Sequence, residues 1–299
     1  MMNKTFIALA LSAIGILGTA HAAPTWESAS NGTLNKTFTA SGTVYGKEYL
    51  QQWEWAVGSG LPNLAGALGA TTRAGTHQIT IPINQDVLIL AGKTKEAFAV
   101  PETFVAGGVG AVPQISYTDA DGQIALNKQG TENGTGKGTL NLIIKDANNQ
   151  TKIGTMAVHI TAAGARGIGK PGQQSGEIAS ICGYLNEAAM IFKGGLPTSY
   201  GSTIAVPNQA TAIIEKFSGN GETFILQQIN KTAPTITQLT PAAIGTGLSE
   251  NMAYNDGSVV SAIYVLGIAS GQNIDATVNN SVTNTTRWTA PLNIQVTYL

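Results

Sequence analysis

The last eight residues, Leu292-Asn-Ile294-Gln-Val296-Thr-Tyr298-Leu299, place an apolar side chain at every second position until the chain ends. Leu292, Ile294, Val296 and Tyr298 therefore share one face of a β-strand, and the polar residues between them share the other. No turn and no further strand follow. A strand with an apolar face and an open edge must be covered, or it pairs with whatever strand it meets. A segment of matching period lies at the opposite end of the chain. There Leu34, Lys36, Phe38 and Ala40 alternate with Asn35, Thr37 and Thr39 inside the polar stretch 31–42. Together the two ends predict a fold that lacks one strand and carries a spare one, the arrangement of a subunit that polymerises.

Residues 1–22 read as a signal peptide. Lys4 gives a positive start, 6–17 an apolar core, and Ala20-His-Ala22 a small-x-small cleavage site. The mature protein is expected to begin near Ala23 and to act outside the cytoplasm. Charged residues make up 11% of the chain, less than half the usual share, and Gly, Thr and Asn are abundant, as in exported β-rich structural proteins. A net charge of −1 with no basic tract argues against nucleic acid as a partner. The single cysteine, Cys182, excludes an intrachain disulfide and is expected to be buried in a helix.

Along the mature chain, Tyr49, Trp53, Trp55 and Val57 share one strand face, with the two tryptophans as core anchors. Short apolar runs at 77–83 and 87–91 follow. Hairpins are expected around Asp119-Ala-Asp-Gly122 and Ala147-Asn-Asn-Gln150. The period then changes. Ile178, Ile181, Leu185, Ala188, Ala189 and Phe192 fall at helical spacing, and 210–217 and 224–229 suggest further helices. Strands resume after Asp256-Gly257. Strands, a helical block near 164–248, then strands again describe an insertion into a β-sandwich better than an alternating α/β fold.

Chemistry is sparse. Gly164-Ala-Arg-Gly-Ile-Gly-Lys170 has the spacing of a phosphate loop, but Pro171 replaces the Ser or Thr that would hold magnesium, so it reads as a flexible connector. Asp119-Ala-Asp-Gly122 lacks the distal glutamate of a calcium loop. Past the signal peptide only His77 and His159 remain beside the one cysteine, which makes no zinc set. There is no nucleophile elbow. The residues point to no enzyme, no cofactor and no metal.

Gln52-Trp-Glu-Trp55, Lys93-Thr-Lys-Glu-Ala-Phe-Ala99, Pro113-Gln-Ile-Ser-Tyr-Thr-Asp119, and the run from Asp256-Gly-Ser-Val-Val-Ser261 through Leu266-Gly-Ile-Ala269 to Trp288-Thr-Ala-Pro-Leu292 carry a likeness over nearly all of the mature chain. In these the sequence resembles major subunits of chaperone–usher fimbriae, kappa class, the FaeG-type fimbrial adhesins. The resemblance implies an immunoglobulin-like pilin sandwich (44–299) that lacks its final strand and bears a helical insertion. It implies a donor-strand extension over 23–43 that completes the next subunit of a homopolymer. It also implies a periplasmic chaperone that pairs with the strand ending in Tyr298, an outer-membrane usher, and export through the periplasm to the cell-surface fimbrium.

Family members often double as adhesins for host cell glycans through the insertion. Carried over, Cys182 or Tyr184 takes the aromatic place and Asn186 or Glu187 the acidic one, while Ala189 falls where a basic residue is expected. Tyr184, Asn186 and Glu187 are thus the candidate glycan contacts, and the alternative is that Tyr184 and Cys182 seal a helix onto the sandwich. A purely structural shaft subunit and a monomeric surface carbohydrate-binding module are the competing functions.

Overall fold

The computed structural model describes residues 48–61, 64, 75–102, 110–127, 134–183, 189–243, 249–279, 282 and 284–299, all within the unit Gly46–Leu299. The signal peptide and Leu34, Lys36, Phe38 and Ala40 lie outside the described residues, as do Tyr184, Asn186 and Glu187. Thirteen strands run β1 (Trp53–Val57), β2 (Thr76–Pro82), β3 (Val87–Thr94), β4 (Pro113–Thr118), β5 (Leu126–Asn127), β6 (Lys137–Asp146), β7 (Lys152–Gly169), β8 (Ser175–Ser180), β9 (Gln238–Pro241), β10 (Val259–Ile268), β11 (Asn273–Asn279), β12 (Trp288–Thr289) and β13 (Asn293–Tyr298). Two helices, α1 (Pro207–Ser218) and α2 (Glu222–Thr232), fall between β8 and β9. The fold is mainly β, a pilin-type sandwich with a helical insertion.

β7 is the spine of the large sheet. Residues 154–158 pair with β6 and β11, and 165–168 with β8 and β10, so each part of β7 has a neighbour on both sides. Thr161 pairs with both β6 and β10, which places β10 and β11 in line along one edge and β6 and β8 along the other. Beyond β10 and β11 lie β3 and β2, also in line, and β1 pairs with the far edge of β3. The breaks in these two lines are side by side: Ile83 N–H donates to Gln272 O at 2.9 Å, and Gly271 N–H to Ile83 O at 2.8 Å. β4 and β13 form a second, two-stranded sheet.

The large sheet buries both faces where β10 crosses it. Val260, Ala262, Tyr264, Leu266 and Ile268 join the core toward β4 and β13, whereas Ile263 and Val265 join a second core under the helices. This is why β10 reads as an unbroken apolar run. Across the first core, the hydroxyls of Tyr117 on β4 and Tyr264 on β10 meet at 2.8 Å, and Tyr264 also donates to Gly195 O at 3.3 Å. Burial pushes both phenols well above their ordinary pKa, so they stay neutral.

The second core explains Gly167 and Gly169. The stretch 164–170 is not a connector: 164–169 is the end of β7, buried almost throughout, and only Lys170 lies past it. A Cβ on Gly167 would lie 2.4 Å from Ile225 Cγ2, and one on Gly169 would lie 2.3 Å from Ile229 Cγ2. The missing side chains let α2 sit on the sheet, where Ile225 and Ile229 are fully buried. Gln228 fixes the helix further. Its Nε2 donates to Thr94 O at 2.7 Å, and its Oε1 accepts from the hydroxyls of Thr94 and Ser261 at 2.6 Å each. α1 starts with Pro207 and stops at Gly219, whose φ of 70° is the left-handed cap that glycine favours.

Two of the three expected helices are present. The helix expected over 178–192 is not, among the described residues. Its first turn is β8, paired with β7 from Ser180↔Ala165 to Glu177↔Ile168, and 181–183 are irregular. Ile178 and Ile181 fall at helical spacing because each fills a different core, not because they share a helix face. Cys182 is buried as expected, but in this irregular stretch. Both hairpins form, with the Asp119 carboxylate accepting from Asp121 N–H and Gln123 N–H at 2.9 Å each.

Candidate functional site: a groove between two strand edges

β13 has the alternation read in the sequence. Ile294, Val296 and Tyr298 are half-buried while Asn293, Gln295 and Thr297 are exposed. It pairs antiparallel with β4 from Asn293↔Thr118 to Tyr298↔Pro113. The far edge of β4 is closed. Lys193 forms a parallel bridge with Gln114, Ile115 N–H donates to Lys193 O at 2.8 Å, and Phe192 N–H to Pro113 O at 2.7 Å. Gly194, at φ 92°, makes this approach possible, since a Cβ there would stand 1.8 Å from Ile115 O. Phe192 holds a φ of 58°, rare for a bulky residue, and its fully buried ring is packed by Trp53 and Tyr264, each at 5.3 Å between centroids. Among the described residues, the open edge of the small sheet is therefore the outer edge of β13.

β1 is the matching edge of the large sheet. Among the described residues it pairs with β3 alone, from Trp53↔Thr94 to Val57↔Leu90. Its inward face loses cover along its length. Trp53 is buried and donates from Nε1 to Ala111 O at 3.1 Å, Trp55 is half-buried, and Val57 is 68% exposed. The expectation of two equivalent core anchors holds for Trp53 only. Trp55 instead donates from Nε1 to the Tyr298 hydroxyl at 2.8 Å and joins the two edges at one end. Partial burial raises the Tyr298 pKa, and the Trp55 hydrogen bond partly offsets that.

Between the edges lies a groove of about 540 Å³. Val57, Leu61 and Leu64 form one wall, and Trp288, Leu292 and Ile294 the other. Its floor is the inner face of the large sheet, including Leu140, Met156 and Ile268. Leu61, Leu64, Trp288, Leu292 and Ile294 touch the core yet remain only partly buried. Covering what remains exposed of each would contribute a share of the roughly 1.5–3 kcal/mol that burying a whole side chain of this kind is worth. The groove thus offers apolar surface on three sides and, among the described residues, strand edges without a ladder partner on β1 and β13, which is what an added strand requires.

Of the strand residues named from the sequence, Leu292 and Ile294 line the groove, Tyr298 closes its end, and Val296 lies between them on the same face. The opposite wall was missed. Its signal was present in the way Val57 continues the Trp53, Trp55 alternation with no later apolar strand assigned to cover it. No group of three metal-ligating side chains occurs among the described residues.

The comparison with known proteins decides the family. The family described as "Fimbrial, major and minor subunit" matches residues 2–299. The chain belongs to the K88 fimbrial family. It is similar to K88 fimbrial protein AC of Escherichia coli, at 40% identity over 99% of this chain and 100% of that protein. K88 fimbrial proteins AB and AD of Escherichia coli are 39% and 40% identical, with the same coverage. It is therefore a fimbrial subunit, and the sandwich with its open groove is a fimbrial subunit's fold.

Proposed function

We propose that this fimbrial subunit polymerises by strand donation: the N-terminal extension of one subunit, 23–43, fills the groove between β1 and β13 of the next. The observation that carries this reading is the pair of strand edges, unpaired among the described residues, on either side of an apolar groove. Leu34, Phe38 and Ala40 supply the apolar face, and Lys36 interrupts it. Before assembly a periplasmic chaperone lends a strand to the same groove, and an outer-membrane usher exchanges one strand for the other on the way to the surface fimbrium. Removing residues 23–42 from the mature chain leaves the groove intact and eliminates fibres in electron micrographs of cells expressing it with chaperone and usher. Normal fibres from that truncation would overturn the reading.

The fibre also serves in adhesion, with the block 164–248 as the surface for host cell glycans. What favours this is position: α1 and α2 pack on the face of the large sheet opposite the small sheet, so a ligand on that helical layer does not compete with polymerisation, while Tyr184, Asn186 and Glu187 enter this reading from the sequence alone. Tyr184 supplies a platform for a sugar ring, and Asn186 and Glu187 supply hydrogen bonds. Each contact is weak and the repeating fibre provides avidity. Glycan-array binding by intact fibres falls sharply in Tyr184→Ala or Glu187→Ala; unchanged binding in both removes these residues from the site.

A further inference from the structure

One end of the groove is shut by two aromatic side chains. The lining stops at Val57 on β1 and at Ile294 on β13. The next inward side chain of β1 is Trp55, and it is bonded to Tyr298 at 2.8 Å. The indole is held. A Cβ on Gly92, the cross-strand partner of Trp55, would come within 2.3 Å of the indole, so the ring lies directly over that glycine. Phe192 meets Trp55 edge-on at 6.2 Å between centroids.

We propose that the Trp55–Tyr298 pair is a register stop: it fixes where a strand from a second copy of this chain comes to rest. The proposal rests on the reading of the groove as the seat of the neighbour's extension. A strand entering it is already barred from slipping by one residue, because that turns its apolar side chains away from the floor. A slip of two residues keeps the faces correct and moves every anchor by about 7 Å, so the pleat alone does not forbid it. Something must block the groove at one end. On the β13 side the wall runs from Trp288 on β12 through Leu292 to Ile294 on β13, and the alternating segment runs from Leu34 to Ala40. With one end closed, an entering strand comes to rest against the stop. Trp55 and Tyr298 are positioning residues: their hydrogen bond keeps the two rings together across the end of the groove, and the closed pair denies the space beyond.

The test uses whole fibres of the full mature chain. Ile294→Cys is combined in turn with Leu34→Cys, Lys36→Cys, Phe38→Cys and Ala40→Cys, and intersubunit disulfides are read as ladders on non-reducing gels. With the pair intact, one of the four positions gives the dominant ladder. In Trp55→Phe and in Tyr298→Phe, which keep a ring and remove the hydrogen bond, the ladder two residues away rises about five-fold, the population shift of one neutral hydrogen bond. An unchanged single ladder in both variants overturns the stop. Loss of fibres in both also counts against it, since a missing stop permits assembly in a second register. Fibres with no ladder at any position in the parent background instead overturn the groove reading itself, and the stop with it.

Discussion

The two faces of the large sheet are finished in different ways. On one, α1 and α2 seal the core with residues of the same chain: Ile214, Ile225, Ile229 and Ile236 have no solvent exposure. On the other, the β4–β13 sheet covers only part of the surface, and the apolar residues from Val57 to Ile294 stay partly open. The helical face is self-sufficient. The groove face keeps partly open apolar side chains beside β1 and β13, where on the proposed reading another strand fits. On that reading a single sheet separates what makes the subunit fold from what makes it join a neighbour.

The largest effect expected from disturbing this division comes from Val296→Asp. It places a carboxylate on the β13 face that, on the proposed reading, a lent strand covers, and an unpaired buried charge is among the most destabilising changes available. Periplasmic subunit should fall to near background even with chaperone present, and normal accumulation would mark β13 as an ordinary internal strand. Next is a matched pair. Ile229→Ala, under α2, should lose about 2–5 kcal/mol in denaturant unfolding whether the subunit is free or in fibres. Ile294→Ala should lose little in the free subunit and roughly 1.5–3 kcal/mol once a strand covers it. Equal losses for Ile294→Ala in both states would erase the contrast.

Gly167→Ala is a smaller probe, confined to the closed face. Its Cβ presses on Ile225 and Ile229, so α2 must shift, at about 1–3 kcal/mol by analogy with other overpacked cores. Fibre assembly should be unchanged at temperatures where the subunit stays folded. Smallest is a pH effect far from the groove. Glu250 is buried, with its Oε2 3.1 Å from Arg166 Nε and accepting from the Tyr254 hydroxyl at 2.9 Å. Burial raises its pKa above the ordinary 4.5, against the opposing pull of Arg166. Below 4.5 both folded and unfolded chains hold this proton. As pH rises past 4.5 the unfolded chain releases it first, so stability declines until the folded pKa is passed. The denaturant midpoint should therefore fall over that window in the parent chain and fall less in Glu250→Gln.

How far the sequence carried this picture depended on the kind of signal. β13, the turn at Asp119 and both helices were legible because local period and turn chemistry decide them. Gly167 and Gly169 were misread because their purpose lies in α2, some sixty residues further on, and a glycine that admits a helix looks the same in sequence as one that loosens a loop. β8 was misread because two isoleucines at helical spacing belong to different cores. In the site, one wall was visible as an alternating strand, but the other is assembled from β1 and a segment reaching Leu64, which no local pattern joins to β13. Trp55 shows the limit most plainly: a Trp-x-Trp pair says that both rings are valuable, and only the fold shows that the second one faces Tyr298.

The pairing of β1 with β3 has a mechanical meaning as well. Five consecutive residues, Trp53 to Val57, lie antiparallel to Leu90–Thr94, directly after the 3-10 turn Glu48–Gln52. A load applied along β1 shears the bonds of that ladder together, whereas a load across it peels them one at a time. A link loaded along β1 would then yield only when the whole strand slides past β3.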